Sequence, residues 1–573
     1  NCHATNLAQG YDIQAKQYRT TWSEMGIGCE ACHGPGREHV AIAEGWDKNP
    51  ASKPADIASS TDPALTDRLK TLSTRTAPPR RTFDTCAYCH GNKTNVFVGF
   101  KAGDRYEDYA LPFLLSDEIP ANDQQGEFWP DGRPNRFNRP QALMQSGCFM
   151  AGAITCTNCH VAHGSRYEHS LKVNIYEGRY GDTLCTQCHQ EAKRVPGGLR
   201  VSGEQREGAG TRSGVQGAEA DPTRSFTSAQ GLKAHTFHEP ESAGSRCIGC
   251  HMSDVNWRML VRRRDHTFRA PNPEMTARYG IPNACTTCHD DKSPEWATRQ
   301  MDAWWGDGAR RQKAVTMADV MYRAGSGDVT VLPELGRLSI DRTQGSLIRA
   351  SAADYIARML MGNYVEGHGL GQSQTAYASG KGQAVARREV PPSAVSPEIV
   401  NMLIAAAADP EAIVRAAAIR ALAAAGQAER VTPPLTARLI DSARVVRVRA
   451  AEALLTLGFG ALPGAAGAAL VKAQDEYAAS LAAFPDVAAN HASRAWLESE
   501  RGRVDEAQKA LDEALQVDPN FARPYVVKGV LAARAGRFQE AVDLWKKARS
   551  LEPGYPRIDA LIAEAEKRKA GAR

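Results

Sequence analysis

The pattern of apolar and polar positions divides the chain into two parts of different character. Up to about residue 305 the apolar residues are broken up by Gly, Pro, Asn and Asp, as at Gly34-Pro35-Gly36 and Trp129-Pro130-Asp131-Gly132. Such punctuation predicts little regular secondary structure. Segment 195–231 is rich in Gly, Ser, Arg and Glu, with almost no large apolar residue before Phe226, and reads as a surface loop or flexible insertion. Beyond residue 305 Ala becomes frequent and the pattern repeats. Asp409-Pro-Glu-Ala-Ile-Val414-Arg415-Ala-Ala-Ala418 recurs 32 residues on as Asp441-Ser-Ala-Arg-Val-Val446-Arg447-Val-Arg-Ala450. A weaker copy sits at Ile348-Arg349-Ala-Ser-Ala352, and a Gly/Ser/Gln-rich stretch at 366–396 reads as a loop interrupting the array. A second repeat has a period of 34: Gly502, Ala507, Ala514 and Pro519 map onto Gly536, Ala541, Ala548 and Pro553, with Leu511 and Trp545 at one large apolar position. Each unit predicts two antiparallel helices, with Gly and Ala where they approach and Pro ending the second.

The period-32 units resemble HEAT-type repeats, in which small residues let paired helices pack closely and the Asp caps a helix start. The period-34 units resemble tetratricopeptide repeats. The expected fold is therefore mainly α: an N-terminal region at 1–305, HEAT-like repeats at 306–470, and tetratricopeptide repeats at 471–573. Within the last, the repeats fall at about 488–521 and 522–555, followed by a capping helix near 556–570.

Composition narrows the class. The chain has 573 residues, 42% hydrophobic and 24% charged, with a net charge of +5. That balance leaves no footprint for nucleic acid. No apolar run approaches the roughly 18 residues of a transmembrane helix, and no secretory signal is visible.

The 14 cysteines carry the chemistry. Twelve form six copies of C-x-x-C-H: Cys29/Cys32/His33, Cys86/Cys89/His90, Cys156/Cys159/His160, Cys185/Cys188/His189, Cys247/Cys250/His251 and Cys285/Cys288/His289. This is the c-type haem attachment signature. Two thiols add to the two vinyl groups of one porphyrin, and the adjacent His reaches the iron. Zinc sites also use C-x-x-C, but zinc does not require His after every second Cys, and a disulfide framework would not repeat one spacing six times. Cys2-His3 reads as the tail of a seventh motif whose first Cys lies before residue 1, which implies a longer protein. Cys148 is left unassigned and is expected to be a buried free thiol. With seven haems in about 300 residues, roughly 40 residues serve each haem, so the porphyrins are expected to supply much of the apolar interior.

The stretch TTWSEMGIGCEACHGPGREHV (20–40), followed by GAITCTNCHVAH, CIGCHM, RRRDHTFRAPNP and GIPNACTTCHDDKSPEW and then by helical repeats, resembles bacterial multihaem cytochromes c with a C-terminal tetratricopeptide domain. The first part is similar to the cytochrome c554 type of haem packing. The resemblance implies haem c at seven sites here, an eighth in an upstream segment, and distal iron ligands at His39, His163 and His266.

Low-spin haem needs a sixth ligand. With His3, His33, His90, His160, His189, His251 and His289 proximal, the spare histidines of this region are His39, His163, His169, His235, His238 and His266. His163 is too close to His160 to reach round that haem, so it would serve a neighbour. One of His235 and His238 is expected to ligate, and His169 is an even choice. His368 and His491 lie in the repeats and are expected to be structural. Met25 and Met150 are alternative ligands, with core packing the simpler role.

The expected function is an electron carrier: closely spaced haems pass electrons along a chain, and the helical repeats dock a redox partner or a copy of the same protein. An oxidoreductase with one open haem acting on a small nitrogen or sulfur compound is the alternative, although no C-x-x-C-K variant motif occurs. A subunit of a polymeric extracellular filament is a third. Covalent haem attachment takes place outside the cytoplasmic membrane, so a periplasmic or extracellular location is expected.

Overall fold

The computed structural model describes residues 3–53, 78–117, 127–135, 138–152, 154–190, 192–195, 198–201, 225–257, 261–306, 308–361, 395–555 and 557–571. Cys2, His368 and most of the two expected loops at 195–231 and 366–396 lie outside them. The chain is mainly helical, and among the described residues no helix is long and apolar enough to cross a membrane.

The C-terminal part is a row of paired helices. Ser346–Leu360 packs on Ala412–Ala425, which packs on Arg444–Thr456, which in turn meets Gly464–Ala482. Ser346–Leu360 and Ala412–Ala425 are buried on nearly every side. Their alanines let neighbours approach closely, and their buried charges are paired, Arg349 with Asp409, Arg358 with Asp354 and Arg415 with Asp441.

Asp409 and Asp441 do not cap helices as the repeat pattern suggests. The helix starts at Ala412 and Arg444 follow Glu411 and Ala443, and neither cap residue offers a side-chain bond. Each Asp instead accepts the backbone N–H two residues ahead, from Glu411 at 2.9 Å and Ala443 at 2.9 Å. Its carboxylate is thereby turned toward the preceding unit's arginine. Arg349 donates to Asp409 at 3.1 and 2.9 Å, Arg415 to Asp441 at 2.9 and 2.7 Å, and Arg447 to Glu476 at 2.8 and 2.6 Å. The weak copy at 348–352 thus supplies the first rung of this ladder.

In the last units, Gly502 and Gly536 adopt φ of 74° and 75° in the turns between helices, with no atom near a hypothetical Cβ. They serve the turn, not the close approach assigned to them from the pattern. The close approach is at Gly529, where a Cβ would lie 2.3 Å from Trp545 Nε1. That indole N–H donates to Val526 O at 3.0 Å. The helix Ile558–Gly571 closes the row.

The N-terminal part has short helices and two-stranded antiparallel ribbons. Near residue 305 the helix Pro294–Trp305 ends at Gly306 and the next begins at Ala309. The core does not respect this break. Phe83, Tyr88, Val96, Phe97, Tyr106, Leu115, Leu143 and Met144 belong to one apolar cluster with Leu347, Ile348 and Val414 of the helical repeats. Polar contacts fasten the same seam. Arg80 pairs with Asp84, Glu107 and Glu411. Ser116 donates to Asp354, Arg358 pairs with Asp117, and Tyr355 donates to Leu115 O. Between residues 83 and 144 the polypeptide supplies its own interior by sharing that of the repeats, and there the expectation of a porphyrin-made core is corrected.

Candidate haem-binding sites

Each complete C-x-x-C-H motif starts in a helical turn: Cys29–His33, the end of Pro79–His90, Cys156–Asn158, Thr183–Thr186, Cys247–His251 and Ala284–Cys288; in the third and fourth the turn is carried on by His160 N–H to Cys156 O and His189 N–H to Cys185 O, each at 2.9 Å. Residues i and i+3 share one face of such a turn, so both thiols project to one side with the imidazole beside them. None of the described cysteines is disulfide-bonded. Among the described residues no three His, Cys, Asp or Glu side chains converge as a bare zinc ion would require.

Cys89 is not exposed: it is half-buried and packs against the apolar cluster that residues 83–144 share with the repeats, as Cys156 of the next motif also does. The reason is its place on the helix Pro79–His90. Cys89 lies four residues after Thr85 and seven after Thr82, on the same stripe, and both threonines are buried. The face that carries Cys86 and Cys89 is therefore turned partly inward. A thioether there would form at the edge of the polypeptide core, whereas Cys29, Cys32, Cys188 and Cys288 are exposed.

Neighbouring motifs meet through their thiols. Cys86 is hydrogen-bonded to Cys156, and Cys185 to Cys247. Those bonds, aided by burial, push Cys86 and Cys185 well up, while the bond from Cys86 holds Cys156 down. Cys32 and Cys86, Cys159 and Cys188, and Cys250 and Cys285 lie close enough to influence one another's ionisation. The six motifs therefore follow one another through space without a break.

Four motif histidines face a spare histidine across a gap. The ring centres of His33 and His163 are 5.9 Å apart, of His160 and His266 6.4 Å, of His251 and His235 6.2 Å, and of His289 and His238 6.3 Å. The first three pairs are within 19° of parallel. Two imidazoles sharing a metal at about 2.0 Å each, with ring centres set back by about a further 1 Å, place those centres about 6 Å apart. Offset aromatic stacking covers the same range, but stacking for its own sake would not choose one motif and one spare histidine in every case.

Residues 149–194 match the model of the doubled CXXCH motif family, and residues 383–455 match HEAT repeats. No curated protein matches the sequence. The doubled motif carries covalent haem c. Its match here supports covalently bound haem c, in keeping with a c-type cytochrome that carries helical repeats, and suggests electron transfer.

The residues present fit that group in three further respects. First, Nδ1 of three ring-pair histidines is tied to a backbone carbonyl: His160 to His169 O at 3.0 Å, His238 to Thr236 O at 2.6 Å and His266 to Arg264 O at 2.9 Å. A carbonyl only accepts, so Nδ1 carries the proton and Nε2 keeps a lone pair for the iron. Second, burial, with a smaller push from His251, lowers His235 to about 4. Burial, with Arg139 next, lowers His266 to about 4, and His235 Nδ1 is buried with no partner. Both rings are neutral at physiological pH, as ligands must be. Third, burial and the adjacent Arg263 hold the Arg139 guanidinium down to about 10. Positive charge crowded beside His266 suits a group bearing carboxylates.

His235 and His238 both face motif histidines, where the sequence suggested one. The helix Ala229–Thr236 ends in Phe237, whose left-handed backbone (φ 57°) turns the chain so that the two rings leave in different directions. Phe237 stacks on Trp304 at 5.1 Å, and Trp304 and Trp296 flank His238 and His289 at 5.7 and 5.1 Å. These tryptophans were not anticipated, although their cluster just after the last motif was a signal.

The other candidates are placed differently. His169 is exposed, pairs with Glu168 at 3.3 Å, and contributes its carbonyl to His160. His39 lies on the helix Arg37–Lys48, behind the Gly34-Pro35-Gly36 turn. His3 and His90 stand at the ends of their motifs. His491 is buried and bonded to Pro485 O and Glu513, a structural histidine. Met25 and Met150 are 76% and 44% exposed, so the core-packing role is corrected for both. Met25 sits on an edge ribbon and Met150 ends a four-residue helix. Cys148 is half-buried, with its Sγ 3.9 Å from His189 Nε2.

Proposed function

We propose that this chain is a multihaem electron carrier of the c-type, with haem at each of the six complete motifs and at Cys2-His3. The observation that carries the reading is the set of four motif–spare histidine pairs spaced for a shared metal. Covalently held haem supplies a reversible one-electron iron couple. The chain's part is to hold and tune it: the thiols fix each group, the Nδ1–carbonyl bonds aim three of the imidazoles, and burial keeps His235 and His266 unprotonated. His163 stands three residues from His160 yet faces His33, and His266 faces His160, so each ligand ties two stretches of chain together. With iron between the rings of each pair, both of its faces would be taken by protein at these four sites, which favours outer-sphere electron passage over substrate binding. Contact between successive motifs gives short hops.

The helical repeats, packed rigidly on residues 83–144, serve in this reading as the docking surface for a redox partner or another copy. The protein works in the periplasm or outside the cell, where haem is attached. Haem counting on the purified protein, combined with ferric spin-state spectroscopy, tests the proposal. Six or seven predominantly low-spin haems per chain are expected. One or two would overturn it.

A further inference from the structure

We propose that Cys148, the cysteine outside every motif, is the distal iron ligand of the haem held by Cys185, Cys188 and His189. The inference rests on the haem reading above and extends it to a site where no histidine answers. His189 belongs to the second half of the doubled motif at 149–194, so a haem is called for there. Among the described residues no histidine ring faces His189 in the way that His163, His266, His235 and His238 face their partners. Cys148 Sγ lies there instead, 3.9 Å from His189 Nε2.

The distance suits a bridged pair. A metal bonded to imidazole at about 2.0 Å and to thiolate at about 2.3 Å separates the two donors by about 4.3 Å when they are opposed. A closing of a few tenths of an ångström in the protein alone leaves that arrangement recognisable. The contact is also with Nε2, the nitrogen that motif histidines offer to iron. Cys148 lies near Cys188 of the same motif and near Cys159 of the preceding one, so the sulfur sits where the two motifs adjoin. Its position is held by the short helix Gly147–Met150, capped by Ser146, whose hydroxyl accepts from Phe149 N at 3.1 Å. The thiol gives its proton to solvent when it binds, as coordinating thiols do. A thiolate pushes electron density onto iron and favours the ferric state. This haem would therefore have the lowest potential of the chain and act as a step that electrons cross slowly.

The experiment uses the mature haem-loaded protein. Mass spectrometry of the peptide containing residues 185–189 establishes its haem. Near-infrared magnetic circular dichroism and electron paramagnetic resonance of the ferric protein then look for a thiolate-to-iron signature equivalent to one haem. The expected result is a haem-bearing peptide and a thiolate signature that is lost in Cys148→Ser, with haem content unchanged. Cys148→His should replace it with a bis-histidine signal, and Cys148→Met should raise the lowest potential in the redox titration. A haem-bearing peptide with no thiolate signature in the unmodified protein overturns this proposal alone. A peptide without haem overturns it together with the carrier reading. The unmodified protein decides the question even where a variant does not fold.

Discussion

Replacing His163 with alanine probes the facing-ring geometry at one site. His163 is exposed on the turn closed by Gly164 N–H to Val161 O at 3.0 Å, and its ring stands 5.9 Å from His33. Removing it empties no core, so the fold should lose no more than about 0.5 kcal/mol. The iron held by His33 loses its sixth ligand and turns high-spin, while the other sites keep theirs. With haem at the six complete motifs and at Cys2-His3, about one-seventh of the haem should convert, provided one ligand serves one iron. Ferric absorption and electron paramagnetic resonance measure the fraction, and added imidazole should restore the low-spin state. His169→Ala is the matched comparison: that ring pairs with Glu168 and, among the described residues, stacks on no motif histidine, so its spectrum should not change. A fully haem-loaded His163→Ala protein with no high-spin fraction would refute the assignment. So would conversion of two or more haems, because the rings would then not be paired one to one.

Two further outcomes follow from the same structure. Asp441→Ala should cost about 3–5 kcal/mol in the urea or thermal unfolding of the helical repeats, because it strands the Arg415 guanidinium in a buried position. Burial alone would raise Asp441, and its bonds to Arg415 instead hold it below the ordinary value; a loss under about 1 kcal/mol would show the ladder to be ornamental. On acidification, His235 and His266, held near 4 against an ordinary 6.5, take up protons in the unfolded chain before the folded one. Stability should be flat above about pH 7 and fall between about 6.5 and 4, read by denaturant titration at stepped pH; a flat profile across that interval would contradict the buried, neutral state of both rings.

What the sequence determined by itself is local. The C-x-x-C-H spacing needs only one helical turn to bring two thiols and an imidazole together, so the motif names its chemistry without tertiary structure. The period-32 and period-34 patterns likewise announce paired helices, because alanines and glycines recur where each unit repeats its own geometry. The roles inside those units were less legible. Asp409 turns away from the cap because a buried arginine one unit back outcompetes a helix N–H, and Gly502 shapes a turn while Gly529 takes the close contact. The pairing of distant residues was decided only by the fold. His33 with His163, and His160 with His266, are joined across long stretches of chain by packing that no spacing records. The left-handed Phe237 gives two uses to neighbouring histidines, and the shared core of residues 83–144 with the repeats erases the boundary that composition draws at 305. Cys148 shows the same limit: its spacing is that of a solitary thiol, and only the folded chain sets it against His189.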